Sequence, residues 1–308
     1  MVGGPRDSSV TGNHRHLAND ETITFFLESE INEAFARQSL PYSVEVINAG
    51  IPDYNSSLHL IYYNETIYEY DPDILLFLDG NNEFYGGRSF NPLKDYRNTG
   101  VSVIESFNGR YPYFALYVGA RYLGRYSKFF QTLQFALLKR WQSEEVPPHV
   151  PMYDLPESFD HFNEDYDHRA RRTFLRTYTQ LKAAADFAST TMLLFLQPQM
   201  LFEEPSLLSP EDERTWHYVS EDWKGPAAKV DRTELMRRVR SKIPEYMREL
   251  GIEYYDVASI GSARTADRTL YIDYCHMTPD GARVLAERMF PPVFARVSEV
   301  VQSRQGAR

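Results

Sequence analysis

Repeated strand, crossover helix, strand units predict an α/β fold whose sheet is mostly parallel and covered by helices on both faces. Two short apolar runs, ILLFLDG (74–80) and TTMLLFLQP (190–198), read as strands buried on both sides, because neither alternates with polar residues. Stretches with helical spacing precede them. The chain has 308 residues, 43% of them apolar and 25% charged, enough for a sizeable core in one domain.

In chain order, Ile23, Phe25, Phe26, Leu27, Ile31, Ala34 and Phe35 have near-helical spacing. Tyr42–Ala49 (YSVEVINA) then has the β-branched alternation of a strand. Ser56–Tyr68 returns to helical spacing, and Asp71-Pro72-Asp73 leads into the run at 74–80. Residues 90–168 are the least regular. There a helix rich in aromatics, Tyr111–Trp141, is followed by a Pro-rich acidic stretch, and together they read as an insertion or lid in a single domain over 1–308. Ala183–Ala188 leads into the second run. Glu234–Leu250 is a basic amphipathic helix that Gly251 stops, and IEYYDVAS (252–259) is a further strand. Thr278 as N-cap and Pro279 at the first helical position open a last helix through Met289.

Asp and Glu number 43 against 33 Lys and Arg, and a net charge of -10 opposes a phosphate backbone, so nucleic acid is not an expected partner. The one cysteine, Cys275, excludes an internal disulfide and any multi-cysteine metal site. Asp160, His161, Glu164, Asp165, Asp167 and His168 read as a solvated acidic loop rather than a cation site, and Arg169–Arg176 as its basic helical neighbour. No run reaches the roughly 18 to 20 apolar residues of a membrane span. Residues 1–20 have no apolar stretch of signal-peptide type.

In parallel sheets, chemistry collects on loops at the carboxyl ends of the strands. Three such loops stand out: Gly50-Ile51-Pro52-Asp53-Tyr54-Asn55-Ser56, Gly80-Asn81-Asn82-Glu83, and Asp273-Tyr274-Cys275-His276. The last is the most informative. A carboxylate three residues from a histidine in a turn can bond one ring nitrogen and leave the other as a base, as the partner of a serine nucleophile requires.

Taken together, VINAGIPDYNSS, YDPDILLFLDGNNEF and YIDYCHMTPDGARVLAERM resemble the second, third and fifth blocks of the SGNH, or GDSL-type, hydrolases, in that order. The resemblance spans most of the chain. It implies a flavodoxin-like three-layer α/β/α fold and a serine esterase, lipase or acetylesterase that needs no metal or organic cofactor. It also implies roles: Asp273 as orienting acid, His276 as general base, Asn82 as an oxyanion donor, with Gly80 two residues before it. In the second block Gly50 matches the first glycine, but Asp53 stands where the family often has a second glycine whose N–H serves the oxyanion hole. The first block points to Ser8 as nucleophile, with Ser9 in reserve. Arg6 occupies the usual glycine position unless Gly3-Gly4 is that pair and Pro5-Arg6-Asp7 an insertion. Only Met1 and Val2 precede this block, so the strand that carries the nucleophile in the family is almost missing, and two expectations stand: a sequence that begins inside the domain, or a weakly anchored nucleophile loop with little or no activity. Localisation is then open, since a leader or anchor would be lost with the upstream strand.

The expected substrate is a small-molecule, glycan or lipid ester. The aromatic helix could line an acyl pocket, stack on sugars or touch a membrane surface. Three other readings use the same scaffold: a catalytically silent domain that binds an acyl or glycan ligand, an O-acyltransferase using the same residues, and a flavodoxin-like cofactor binder. The last is disfavoured because the chain has no phosphate-cradling Gly-rich loop.

Overall fold

The computed structural model describes residues 17–51, 54, 56–80, 123, 127–130, 132–133, 164–222 and 232–306. The chain divides into two compact units, Met1–Tyr96 with Ser158–Arg308, and Arg97–Glu157. In the second unit, residues 128–130 and 132–133 are helical and Phe129 meets Phe130 edge to face. The rest of the expected aromatic helix and most of the expected insertion lie outside the described residues.

The first unit is α/β. Its described strands are β1 (Ile74–Asp79), β2 (Thr191–Leu196) and β3 (Glu253–Asp256), parallel and in the order β1-β2-β3. Ile74 pairs with Thr191 and Leu193 with Glu253. Around the sheet lie α1 (Ile23–Arg37), α2 (Ser56–Glu65), α3 (Glu164–Phe187), α4 (Pro210–Asp222), α5 (Arg232–Leu250) and α6 (Pro279–Gly306). Both apolar runs are strands, and period-2 alternation divides their side chains between two cores. Leu76, Leu78, Leu193 and Phe195 pack with α1 and α6 on one face. Leu75, Phe77, Met192, Leu194 and Leu196 pack with α2, α3 and α5 on the other.

Local chemistry sets several boundaries. Thr22 caps α1 by accepting from the Phe25 N–H at 3.3 Å. Gly251 has φ +64 after α5, and the next N–H, of Ile252, returns to the Met247 carbonyl at 3.0 Å. Thr278 Oγ1 accepts from the Gly281 N–H at 3.1 Å and opens α6, as the sequence suggests.

Three expectations change, and one unassigned segment proves helical. Tyr42–Ala49 forms no strand: Val44 directs its N–H and carbonyl to the Asn32 side chain (2.8 and 2.9 Å), and the Val46 N–H donates to Glu28 Oε2 (2.6 Å). Side chains of α1 thus take bonds that a ladder would otherwise supply. The last helix does not end at Met289 but runs through Pro291 and Pro292 to Gly306. The apolar stripe Leu285, Met289, Val293, Val297 continues across the prolines, and burial of its far half offsets the lost main-chain bonds. Residues 164–168 begin α3 instead of lying in an acidic loop. Residues 210–222, unassigned from sequence, form α4, whose first turn holds Glu211, Asp212 and Glu213, favourable at a helix N-terminus.

Candidate active site

The loop after Leu270 closes on itself. Tyr271 and Met277 form an antiparallel bridge, the Ile272 N–H donates to the His276 carbonyl at 2.7 Å, and the Thr278 N–H returns to Leu270 at 3.0 Å. Inside this closed turn, Asp273 Oδ2 lies 2.6 Å from His276 Nδ1, while Asp273 Oδ1 accepts the N–H groups of Cys275 (3.0 Å) and His276 (2.9 Å). Burial alone would raise the Asp273 carboxyl. The hydrogen bond and charge of His276, with the two main-chain donors, outweigh it and hold the group below the usual carboxylate range. Asp273 is therefore an anion at neutral pH, fixed on both oxygens, and it orients the imidazole through Nδ1. His276 keeps 17% side-chain exposure, so the ring is reachable from solvent.

Two buried carboxylates hold this loop from behind. Asp212 accepts the N–H groups of Leu270 (2.7 Å) and Tyr271 (3.1 Å). Burial pushes Asp212 up, against the lowering by those two donors. Glu203, 5% exposed, accepts from the Ile260 N–H (2.6 Å), the Gly261 N–H (2.9 Å), the Ser259 hydroxyl (2.7 Å) and the Tyr271 hydroxyl. A charge so placed is satisfied by donors from segments 56 to 68 residues away, and it ties β2's exit to β3's exit and to the dyad loop. Gly281 lies against the Leu270 carbonyl, leaving no room for a Cβ.

The dyad lies at the carboxyl edge of the sheet. Just after β2, the Gln199 N–H donates to the Ala258 carbonyl (3.0 Å), its side-chain amide donates to the Gly80 carbonyl (3.3 Å), and the Met200 N–H donates to the Tyr274 carbonyl (2.8 Å). Gln199 and Met200 together connect the exits of all three strands and the dyad loop. Gly80 closes β1 with φ +122, and a Cβ there would overlap the Leu196 side chain. Below it, Asp79 Oδ2 meets His59 Nδ1 at 3.1 Å and accepts from the Tyr178 hydroxyl, a buried polar knot between β1, α2 and α3.

Of the residues singled out from sequence, Asp273 and His276 come together, and Gly50 and Gly80 take their loop positions, Gly50 with its N–H on Asn48 Oδ1 at 3.1 Å. Ser8, Ser9, Asp53 and Asn82 lie outside the described residues. Sequence reasoning missed Gln199, Glu203, Asp212 and the His59–Asp79–Tyr178 knot. Gln199 and Glu203 had a signal: they follow a strand, in the same kind of place that drew attention to Gly80. Asp273, Cys275 and His276 also bring three ligand-type atoms within 4.8 Å of one another. Two of these, Oδ2 and Nδ1, are bonded to each other. Cys275 Sγ stands 3.7 Å from both ring nitrogens.

Fold and site together define an α/β protein with a carboxylate–imidazole dyad at the carboxyl edge of a parallel sheet. No family model matches the chain, and no curated protein matches its sequence. Among solved structures it is similar to one titled "Crystal structure of an acetyl xylan esterase AlAXEase", with a TM-score of 0.42 and 10% identity over 90% of this chain and 92% of that one. No helix among the described residues is long and apolar enough to cross a membrane.

Proposed function

We propose that the chain is a serine ester hydrolase of the SGNH type, with Ser8 as nucleophile, His276 as general base and Asp273 as its orienting acid. The observation that carries this reading is the Asp273–His276 dyad: a carboxylate bonded to Nδ1 at 2.6 Å in a closed turn, with the ring accessible at the sheet's carboxyl edge. With Nδ1 engaged, Nε2 is the nitrogen left for proton transfer. Ser8 Oγ attacks an ester carbonyl as His276 Nε2 takes the hydroxyl proton, and Asp273 stabilises the imidazolium. The tetrahedral oxyanion is bound by the Ser8 and Asp53 N–H groups and the Asn82 amide. Collapse expels the alcohol, which receives the proton from His276, and leaves an acyl-enzyme. Water, deprotonated by the same base, releases the acid. Small, glycan-borne and lipid esters are the substrate classes in view.

The test is a fluorophosphonate probe with the adduct located by peptide mass spectrometry, run beside p-nitrophenyl acetate, butyrate and octanoate. Labelling at Ser8, lost in Ser8→Ala and His276→Ala, is the expected result. Unchanged ester turnover in Ser8→Ala overturns the assignment.

A further inference from the structure

Gln199 stands just past the end of β2 and is 1% exposed. An apolar side chain of the same length would fill that volume without bringing polar atoms into it. The carboxamide there is bonded at one end only. Nε2 donates to the Gly80 carbonyl at 3.3 Å, while Oε1, fully buried, has no hydrogen-bond partner among the described residues. A buried acceptor left unpaired costs stability, and the single neutral hydrogen bond made beside it does not outweigh that cost. Packing and stability therefore give no reason for a glutamine at this position, and its one bond does.

The carbonyl it holds is the first main-chain group beyond the β1–β2 ladder, which ends with the Gln197 N–H on the Asp79 carbonyl at 2.8 Å. Gly80 has φ +122, a region that L side chains rarely adopt, and without a Cβ it restricts its own ψ little. A donor on its carbonyl restrains that rotation. The plane of the Gly80–Asn81 peptide then sets the direction in which Asn81 and Asn82 depart. The same segment acts on the other half of the site. The Met200 N–H holds the Tyr274 carbonyl inside the dyad turn at 2.8 Å, and the Gln199 N–H holds the Ala258 carbonyl after β3 at 3.0 Å. The Phe202 N–H closes back on the Gln199 carbonyl at 2.9 Å. One short buried segment thus references the root of the loop after β1 to the turn that carries His276.

We infer that Gln199 is a positioning residue for ester hydrolysis: its side-chain amide orients the Gly80 peptide so that the Asn82 loop stands in register with the Asp273–His276 dyad. This rests on the hydrolase reading, which gives Asn82 its role. The tolerance is narrow, since oxyanion donors act at about 2.7 to 3.1 Å and a misplacement of about 1 Å costs about 100-fold in rate. The chemistry needed at position 199 is specific, an N–H donor on a two-methylene arm. Methionine has the length but no donor. Glutamate has the shape, but its carboxylate only accepts, and it meets the Gly80 carbonyl oxygen with like partial charge until it takes up a proton.

Gln199→Met and Gln199→Glu are compared with the wild-type chain in p-nitrophenyl acetate kinetics, in fluorophosphonate labelling of Ser8 and in thermal unfolding. Gln199→Met lowers kcat by about 10- to 100-fold with KM within about twofold, and slows labelling by a similar factor, because both reactions develop negative charge on an oxygen held by Asn82. Its Tm holds or rises, since the unpaired Oε1 is gone. Gln199→Glu shares the loss at neutral pH and recovers relative to wild type as pH falls, when a protonated carboxyl again donates to Gly80; the Gln199→Met ratio to wild type shows no such trend. A residue that only packs gives the opposite signature, a lower Tm with kcat unchanged, and that result overturns the inference. A Gln199→Glu ratio that is flat in pH overturns it too, and decides alone if Gln199→Met fails to fold. A wild-type chain that neither turns over ester nor labels at Ser8 defeats the hydrolase reading and this inference together. A wild-type chain that does both, with Gln199→Met equal to it, defeats this inference alone.

Discussion

The dyad loop and the segment 42–47 are both built from main-chain groups outside the strand ladders, yet they meet their hydrogen-bonding needs differently. At residues 270–278, buried Asp212 accepts the N–H groups of Leu270 and Tyr271 and buried Glu203 accepts the Tyr271 hydroxyl, while Glu203 ties in the neighbouring segment through the Ile260 and Gly261 N–H groups and the Ser259 hydroxyl. At residues 42–47, among the described residues, only α1 helps, through Asn32 and Glu28. The difference teaches that the dyad loop is closed by buried carboxyl side chains that act as surrogate strand edges.

The largest expected effect tests the function of the closed region. His276→Ala should lower p-nitrophenyl ester turnover by about 10⁴-fold or more, with only a small drop in the unfolding midpoint from loss of the Asp273 contact. Next in size is removal of the surrogate edge. Glu203→Ala orphans four donors around a buried site and should cost about 3 kcal/mol in urea unfolding, with Glu203→Gln milder because one amide oxygen still accepts. On the open side, Asn32→Ala removes two bonds to Val44 and should cost about 1 to 2 kcal/mol, with faster amide exchange confined to residues 42–47. A loss there equal to that in Glu203→Ala would erase the contrast.

A finer test uses pH. The folded-state pKa of Asp273 is depressed, so its ionised form contributes stability above the unfolded pKa, and that contribution is lost as pH falls through the folded value. Asp273→Asn should therefore flatten the acid limb of the stability–pH curve measured by thermal unfolding. Wild-type and variant curves of identical slope would show that the His276 contact adds no net stability. The smallest effect belongs to the exposed Glu33–Arg37 pair of α1, where Arg37→Gln should change stability by less than about 0.5 kcal/mol.

What could be read from the sequence follows from how far apart the interacting residues lie. β1 and β2 were legible because strands buried on both faces must be apolar throughout, and the dyad because its two members are three residues apart. Tyr42–Ala49 has the right alternation for a strand, but alternation reports on faces and not on whether an edge has a neighbour. α4 is polar on most positions and shows no stripe from which a helix could be read; its Asp212 matters through a contact 58 residues away. Glu203 was silent for the same reason. The spacing was followed only to Met289, and packing that the sequence does not display, Val293 and Val297 against the α1 side of the core, carries α6 past Pro291 and Pro292.

The chain's single thiol lies between the two dyad residues, 1% exposed. A thiol reagent can reach Cys275 only when the 270–278 loop opens, so labelling under conditions of rapid reclosure reads the equilibrium for that opening. No engineered label and no substrate are needed. The molecule thus carries a built-in clock for its own dyad loop, one that ticks whether or not the protein turns anything over.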